Sequence, residues 1–258
     1  MPSASFRFYQ ELNDFLDPFQ RQREFHHEWK GRASVKDLIE SIGVPHTEVD
    51  LILVNGESVS FSYLAHDGDR ISVYPVFESM DIGAVSQLRP SPLRQVRFVL
   101  DGHLGRLAAY LRLLGFDSAW DSRLPDAELA RASIQEQRLL LTRDRGLLKR
   151  KAVTHGYFVR STLPADQLRE VVDRFDLRSR AQPFTRCASC NGLLTPVPTE
   201  QIHDRLEPGT ASHYQQFWTC ASCGKVYWRG SHYRRIRQLL DPILGEGPRP
   251  EPTAPGEF

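Results

Sequence analysis

The chain has 258 residues, 40% of them apolar and 25% charged, which is a globular composition and excludes a disordered or fibrous polymer. No run of about 18 apolar residues exists to cross a bilayer, and the opening MPSASFRFYQELNDF lacks the basic-then-apolar order of a secretory signal, so a soluble, cytoplasmic protein without a membrane partner is expected. The net charge of +1 conceals a division: residues 1–82 hold 7 Lys/Arg and 14 Asp/Glu, net −7, and the remainder holds 26 and 18, net +8, which points the second part toward polyanions.

From the start, SFRFY (5–9) predicts a strand, and a second strand is expected before SVKDLIESIG (34–43), a Ser-capped helix that ends at Gly43. LILVNGESV places two short strands around Asn55-Gly56, a hairpin signal, and DRISVYPVF (69–77) is a last strand. With "VNGE" and "DGDRISVYPV" at matching places, residues 5–80 resemble the ubiquitin-like β-grasp fold, in its small sulfur-carrier branch. Members of that branch end in an exposed Gly-Gly, whereas here FESMDIGAVS continues past a lone Gly83. The resemblance therefore implies a docking or regulatory role, with a protein partner, rather than sulfur transfer.

AVSQLRPSPLRQ (84–95) has two prolines, two serines and no regular period, and reads as a linker. VRFVLD (96–101) is an apolar strand ending in Asp101. LGRLAAYLRLLG (104–115) places Leu104, Leu107, Ala108, Leu111 and Leu114 on one helical stripe, closed by Gly115. FDSAW (116–120), RLLLT (138–142) and YFVR (157–160) predict strands, and PDAELARASIQEQ (125–137) and LPADQLREVVDRF (163–175) predict helices. Such alternation implies an α/β fold with a parallel sheet and helices on its faces. The Pro- and Gly-rich residues 241–258 read as a disordered tail. The expected order is a β-grasp domain (1–83), linker (84–95), α/β core (96–180), cysteine module (181–240) and tail (241–258).

Cys187-Ala-Ser-Cys190 and Cys220-Ala-Ser-Cys223 each place two thiolates on a tight turn, and two such knuckles can close a tetrahedron around Zn²⁺. Asn191-Gly192 and Gly224-Lys225 let the backbone turn its amides toward sulfur. Four sulfurs leave no open position, so this Zn²⁺ is expected to be structural, and His203, His213 and His232 are not needed as ligands. KVYWRGSHYRRIRQ (225–238) contains no acid and interleaves Lys225, Arg229, Arg234, Arg235 and Arg237 with Tyr227, Trp228 and Tyr233. Cations for phosphates and rings for bases suit single-stranded nucleic acid. The other reading is that Tyr227 and Trp228 pack the module while the arginines form a solvated helix face.

Asp101 ends the first strand of the core, Asp121 follows the second, and Asp144 follows the third in LLLTRDR. Strand ends of an open parallel sheet converge on one crevice, where several carboxylates can hold Mg²⁺ or Mn²⁺ to activate water and offset charge on a phosphodiester. Asp126 is either a further ligand or an acid favoured by a helix N-terminus, and Asp121 is either a ligand or a turn residue. Arg143, Arg145, Lys149, Arg150 and Lys151 flank Asp144 and could hold the backbone whose phosphate is attacked.

VRFVLDGHLGRLAAYLRLLGFD, LPDAEL, RLLLTRDRGLL and the double Cys-x-x-Cys, in that order over 96–240, resemble the Mut-seven C-terminal ribonuclease family, a PIN-like fold with a zinc ribbon. The resemblance implies metal-dependent hydrolysis of RNA, with Asp101, Asp126 and Asp144 at the family's acidic positions, Thr142 as an orienting hydroxyl and Asp166 a weak fourth acid. His103 stands where the family has an apolar residue, and is expected to cap the following helix rather than touch substrate. A haloacid-dehalogenase-type phosphatase would need a second acid where His103 stands. The rival function is a non-catalytic RNA-binding adaptor that uses the zinc ribbon. The charge division adds a further expectation, that the acidic domain lies against the basic nuclease surface and restrains it or screens its substrates.

Overall fold

The computed structural model describes residues 1–75, 87–88, 96–207 and 209–245, so Gly83 and most of the expected linker and tail lie outside the described residues. The chain forms two compact units, one of residues 1–103 with 120–159 and one of residues 104–119 with 160 onward.

In the first unit, β1 (Ser3–Phe8), β2 (Phe25–Glu28), α1 (Val35–Ile42), β3 (Val49–Val54), β4 (Glu57–Ser58) and β5 (Arg70–Pro75) build a five-stranded sheet of order β2-β1-β5-β3-β4. The β1–β5 pair is parallel and the others antiparallel, which is the β-grasp arrangement. Phe6, Phe8, Leu12, Ile39, Ile52 and Ile71 form its buried core. Ser34 caps α1 in a full capping box with Asp37 and Gly43 closes it at φ +123°, a backbone that favours glycine. Asn55 at φ +52° and Gly56 at φ +91° make the two-residue turn that sets the Leu53–Ser58 and Val54–Glu57 register.

The same unit contains β6 (Phe98–Leu100), α3 (Asp126–Gln135), β8 (Leu139–Thr142), α4 (Arg145–Leu148) and β9 (Gly156–Phe158). With β7 (Ser118–Trp120) these strands form a sheet of order β7-β6-β8-β9, in which β6–β8 and β8–β9 are parallel. Phe98, Val99, Leu100, Leu140 and Leu141 are fully buried, as both-face coverage of a parallel sheet requires.

The β-grasp segment is joined to this sheet by side chains from both. His46, 7% exposed, directs Nδ1 to Glu40 Oε1 at 2.6 Å and Nε2 to the Val153 carbonyl at 2.8 Å. Glu48 Oε1 accepts the Phe158 amide at 2.6 Å, and Lys149 Nζ donates to the Glu40 carbonyl at 2.7 Å. Burial lowers the Lys149 ammonium, an effect that Glu40 opposes. The Arg145 guanidinium lies 5.0 Å from the Phe15 ring and 5.5 Å from the Phe158 ring, and donates to the Asp14 and Phe15 carbonyls. His46→Phe keeps a planar ring but leaves the Glu40 carboxylate and Val153 carbonyl without their donor, and should cost about 2–3 kcal/mol. The urea midpoint of unfolding reads this directly; an unchanged midpoint contradicts it.

The second unit contains α2 (Gly105–Leu113), α5 (Pro164–Arg174), β10 (Leu194–Val197), α6 (Thr210–His213), β11 (Phe217–Cys220), β12 (Val226–Trp228) and α7 (Ser231–Leu244). Gly115, at φ +92°, follows α2 as expected. The strands form an antiparallel sheet of order β10-β11-β12. The expected tail is partly helical: α7 runs through Asp241 and Pro242 to Leu244, with Arg237 and Asp241 paired at 2.9 Å one turn apart. Pro242 has no N–H for the Gln238 carbonyl, so the last turn lacks one helical hydrogen bond, and Gly245 at φ +72° ends the helix.

Candidate active site and metal centre

Asp101 follows the last residue of β6, and Thr142 is the last residue of β8. Because Leu100 pairs with Leu141 in a parallel register, the two residues stand side by side at the same edge of the sheet. The order β7-β6-β8-β9 reverses between β6 and β8, and the crevice beyond the carboxyl ends of such strands is where open α/β sheets bind ligands. The Thr142 hydroxyl is fully buried, donates to Asp101 Oδ2 at 2.8 Å and accepts the Asp144 amide at 2.9 Å, so one side chain fixes both acidic positions. Asp144 is the N-cap of α4 and accepts the Gly146 amide on Oδ1 at 2.7 Å.

Asp126 starts α3 after Pro125, and its Oδ2 accepts from Arg150 at 3.2 Å. Asp101, Asp126 and Asp144 are not brought close enough for all three to share one ion; among the described residues, the four cysteines form the group that is. Asp121 accepts the Arg123 amide and side chain, which hold its carboxyl low, and so behaves as a turn residue. Asp166 is paired with Arg169 in the first turn of α5. The N-cap of α2 is Leu104, so His103 is not the helix cap; it lies exposed in the turn Gly102–Leu104.

Among the flanking cations, Arg145 and Lys149 are engaged by the β-grasp segment as described, and Arg150 by Asp126. Arg143 donates to the Val159 carbonyl at 2.8 Å while its side chain stays exposed.

The cysteine knuckles are built alike. Asn191 and Gly224, at φ +72° and +71°, donate their amides to the Cys187 and Cys220 carbonyls at 3.0 and 2.9 Å. Cys187 and Cys220 in turn donate their amides to Gly192 and Lys225. The Sγ atoms of Cys190 and Cys220 lie 3.3 Å apart and those of Cys187 and Cys223 3.7 Å apart, with all four within 4.8 Å. Tetrahedral sites with metal–sulfur bonds of about 2.3 Å bring sulfurs to about 3.8 Å, whereas a disulfide needs about 2.05 Å. The cluster can therefore hold a metal ion such as zinc.

Burial raises the Cys187 thiol, but hydrogen bonds from Tyr227, Cys190 and Ser189 outweigh it and bring it down to about 6. Burial, followed by the neighbouring sulfurs, pushes Cys190 up to about 12. Tyr227, whose hydroxyl is 3.0 Å from Cys187 Sγ, is itself raised by burial and by that contact.

Arg112, which the sequence reading missed, and the side chain of Asn191, read there only for its backbone, complete the centre. The Arg112 guanidinium, buried in α2, donates to the Ser118, Ala188 and Ser189 carbonyls; burial lowers it and the charges of Cys190 and Cys187 raise it. Asn191 donates to Asp117 at 2.7 Å and accepts the Ser118 amide at 3.0 Å, which anchors the first knuckle. The apolar stripe of α2 gave no signal for a buried arginine beside it. A Cβ on Gly192 would meet Ser222 Oγ at 2.5 Å and Cys220 Sγ at 2.8 Å. Gly192→Ala should therefore weaken metal binding by about 10–100-fold, read by competition with a chelating dye; unchanged affinity contradicts this packing.

The model of the Mut7-C RNAse domain matches residues 96–240, spanning both the Asp101–Thr142 edge and the cysteine centre. The chain belongs to the Mut7-C RNAse domain family. Residues 1–81 match the Mut7-C ubiquitin model, so the β-grasp segment ahead of the Mut7-C RNAse domain is its ubiquitin-like partner. Among solved structures, SAMP1 from Haloferax volcanii is similar at 15% identity, covering 30% of this chain and 99% of its own, with a TM-score of 0.24. No curated protein matches the chain. No helix among the described residues is long and apolar enough to cross a membrane.

Proposed function

We propose that the Mut7-C RNAse domain of this chain hydrolyses phosphodiester bonds of single-stranded RNA at the strand tips carrying Asp101 and Asp144. The observation that supports this reading is the single buried Thr142 hydroxyl that ties Asp101 to Asp144 at the switch point of the sheet. Hard oxygen donors suit Mg²⁺ or Mn²⁺, and Mg²⁺ is often held by one or two carboxylates together with waters and substrate phosphates, so the two acids fit such an ion. When bound, it would supply an activated water and offset the charge that builds on the phosphate.

Thr142 orients the Asp101 carboxylate, and the α4 cap holds Oδ1 of Asp144. Asp126, paired with Arg150, is the further acid that the family resemblance implies. Arg143 and Lys151 keep exposed side chains for the RNA backbone, and the segment from Lys225 to Arg235 adds the larger basic surface. Zinc closes the four-cysteine module as a structural ion, in a reducing, cytoplasmic compartment where all four thiols remain unoxidised. The ubiquitin-like domain serves a protein partner and keeps Arg145 and Lys149 away from RNA.

The test incubates purified chain with Mn²⁺ and labelled single-stranded RNA, comparing wild type with Asp101→Asn and Asp144→Asn. Cleavage by wild type alone supports the assignment. Equal cleavage by all three sinks it, and binding without cleavage by any of them favours the RNA-binding adaptor.

A further inference from the structure

Within the second unit, α2, the ribbon strands and α7 enclose a cleft of about 990 Å³ that neither the acidic site nor the cysteine centre uses. Six rings line it: Tyr110, Phe184, Trp218, Tyr227, Trp228 and Tyr233. Its cations are Lys225, Arg229, Arg235 and Arg237, and no Asp or Glu is in its wall. Arg237 is neutralised by Asp241 at 2.9 Å, whereas the other three are exposed and no ion pair with an acid is found for them among the described residues.

Rings and cations are already arranged as pairs. The Arg229 guanidinium lies 5.4 Å from the centre of the Trp218 ring, and Lys225 Nζ lies 5.9 Å from that of Tyr227. Phe184 and Tyr233 meet at 4.5 Å. Trp228, 37% exposed, presents its ring where the strand β12 ends. Tyr227 gives its hydroxyl to Cys187, so one wall of the cleft is fixed by the metal module itself.

We infer that this cleft is a base-stacking site for single-stranded RNA, in which unpaired bases lie between the rings while Lys225, Arg229 and Arg235 meet the phosphates. A wall with aromatic faces, unpaired cations and no carboxylate matches what an unstacked polyanion needs, because every base has a π-face and every linkage one negative charge. A duplex hides its bases and cannot use the rings. Sites for single drug-sized ligands run to about 300–1,000 Å³, so a cleft at the upper end has room for more than one nucleotide. The inference rests on the RNA reading above for its substrate class, but it locates binding apart from the residues that cut.

The test measures binding of a labelled ten-nucleotide RNA to the full chain by fluorescence anisotropy in buffer without added Mg²⁺ or Mn²⁺ and without chelator, with intact RNA verified afterwards on a gel and bound metal of the cysteine centre quantified on each variant. Arg229→Glu and Trp228→Ala should each raise Kd for the single strand about tenfold or more. Both variants should retain their metal, and a duplex of the same sequence should bind the wild type much more weakly. Ultraviolet cross-linking of a 4-thiouridine oligonucleotide to the peptide containing Trp228 or Tyr233 should accompany this. Unchanged Kd in both variants, or equal binding of duplex and single strand, overturns the cleft as a base-stacking site even if the wild type cleaves RNA. Loss of binding in the variants with no cleavage by the wild type leaves the cleft standing and removes the nuclease reading instead.

Discussion

Replacing Asp101 or Asp144 by Asn should lower RNA cleavage by about 10²–10³-fold or more while RNA affinity stays within about twofold of wild type. The Asn amide oxygen can still accept from Thr142 at position 101 and from the Gly146 amide at position 144, so both hydrogen bonds survive and only the charge is lost. A fall in rate is then a loss of negative charge at the strand tips, not a loss of the α4 cap or of sheet order. Thr142→Val separates orientation from charge. It removes the hydroxyl from both partners, and should reduce the rate less than the loss of either carboxylate does. Single-turnover rates with excess enzyme, alongside Kd measured without added Mg²⁺ or Mn²⁺, distinguish these effects.

Cys187→Ser should remove the bound metal and unfold the knuckle sheet, because the binding energy of a structural ion is folding energy, about 10–16 kcal/mol for Zn²⁺ in small zinc-finger peptides. Cys187 is the buried ligand that also receives the Tyr227 hydroxyl, so its loss disturbs both the metal and a wall of the cleft. Metal content and hydrogen exchange across β10, β11 and β12 report it; a variant that keeps full metal and full protection contradicts the account. Acid should act in the same direction. Cys187 is held at about 6 when folded, below its ordinary thiol value, so the stability it contributes is present above that ordinary value and is lost as pH falls through about 6. Protons and metal compete for the same sulfurs, so acidification should release the metal and unfold the knuckles together, and unfolding that runs ahead of metal release contradicts it.

The strand-tip acids were legible because their signal is local. An apolar run that stops at an acid gives both the strand and its end, which is how Asp101 stood out, whereas Thr142 was implied by the family resemblance and its place beside Asp101 comes from the Leu100–Leu141 register. Ser34, Asp37 and Gly43 were legible for a similar reason, since a capping box and a glycine stop are written within ten residues. The cysteine spacing announced a metal centre, but not the packing that supports it. Arg112, Asn191 and Asp117 act through contacts 74–77 positions apart in the chain, and no short-range period carries such information. The same limit explains Arg145 and Lys149, whose charge suggested phosphate although their partners, Asp14, Phe15 and Glu40, lie more than 100 positions away. The expectation that the acidic domain meets the basic nuclease segment describes where those two side chains go, but the bonds run to backbone oxygens and aromatic rings, which net charge does not count. The end of α7 was misread because Pro242 looks like a stop, while the Arg237–Asp241 pair that extends the helix is visible only once the helix is known.

The central claim is that Asp101 and Asp144 together hold the ion that cuts RNA. It is tested most directly by titrating Mn²⁺ into wild type, Asp101→Asn and Asp144→Asn by isothermal calorimetry, with cleavage of labelled single-stranded RNA followed at each concentration. The account predicts one saturable Mn²⁺ site in wild type whose occupancy tracks the cleavage rate, and its loss in both variants. Equal Mn²⁺ binding by all three proteins, or wild-type cleavage that persists in EDTA, would contradict it.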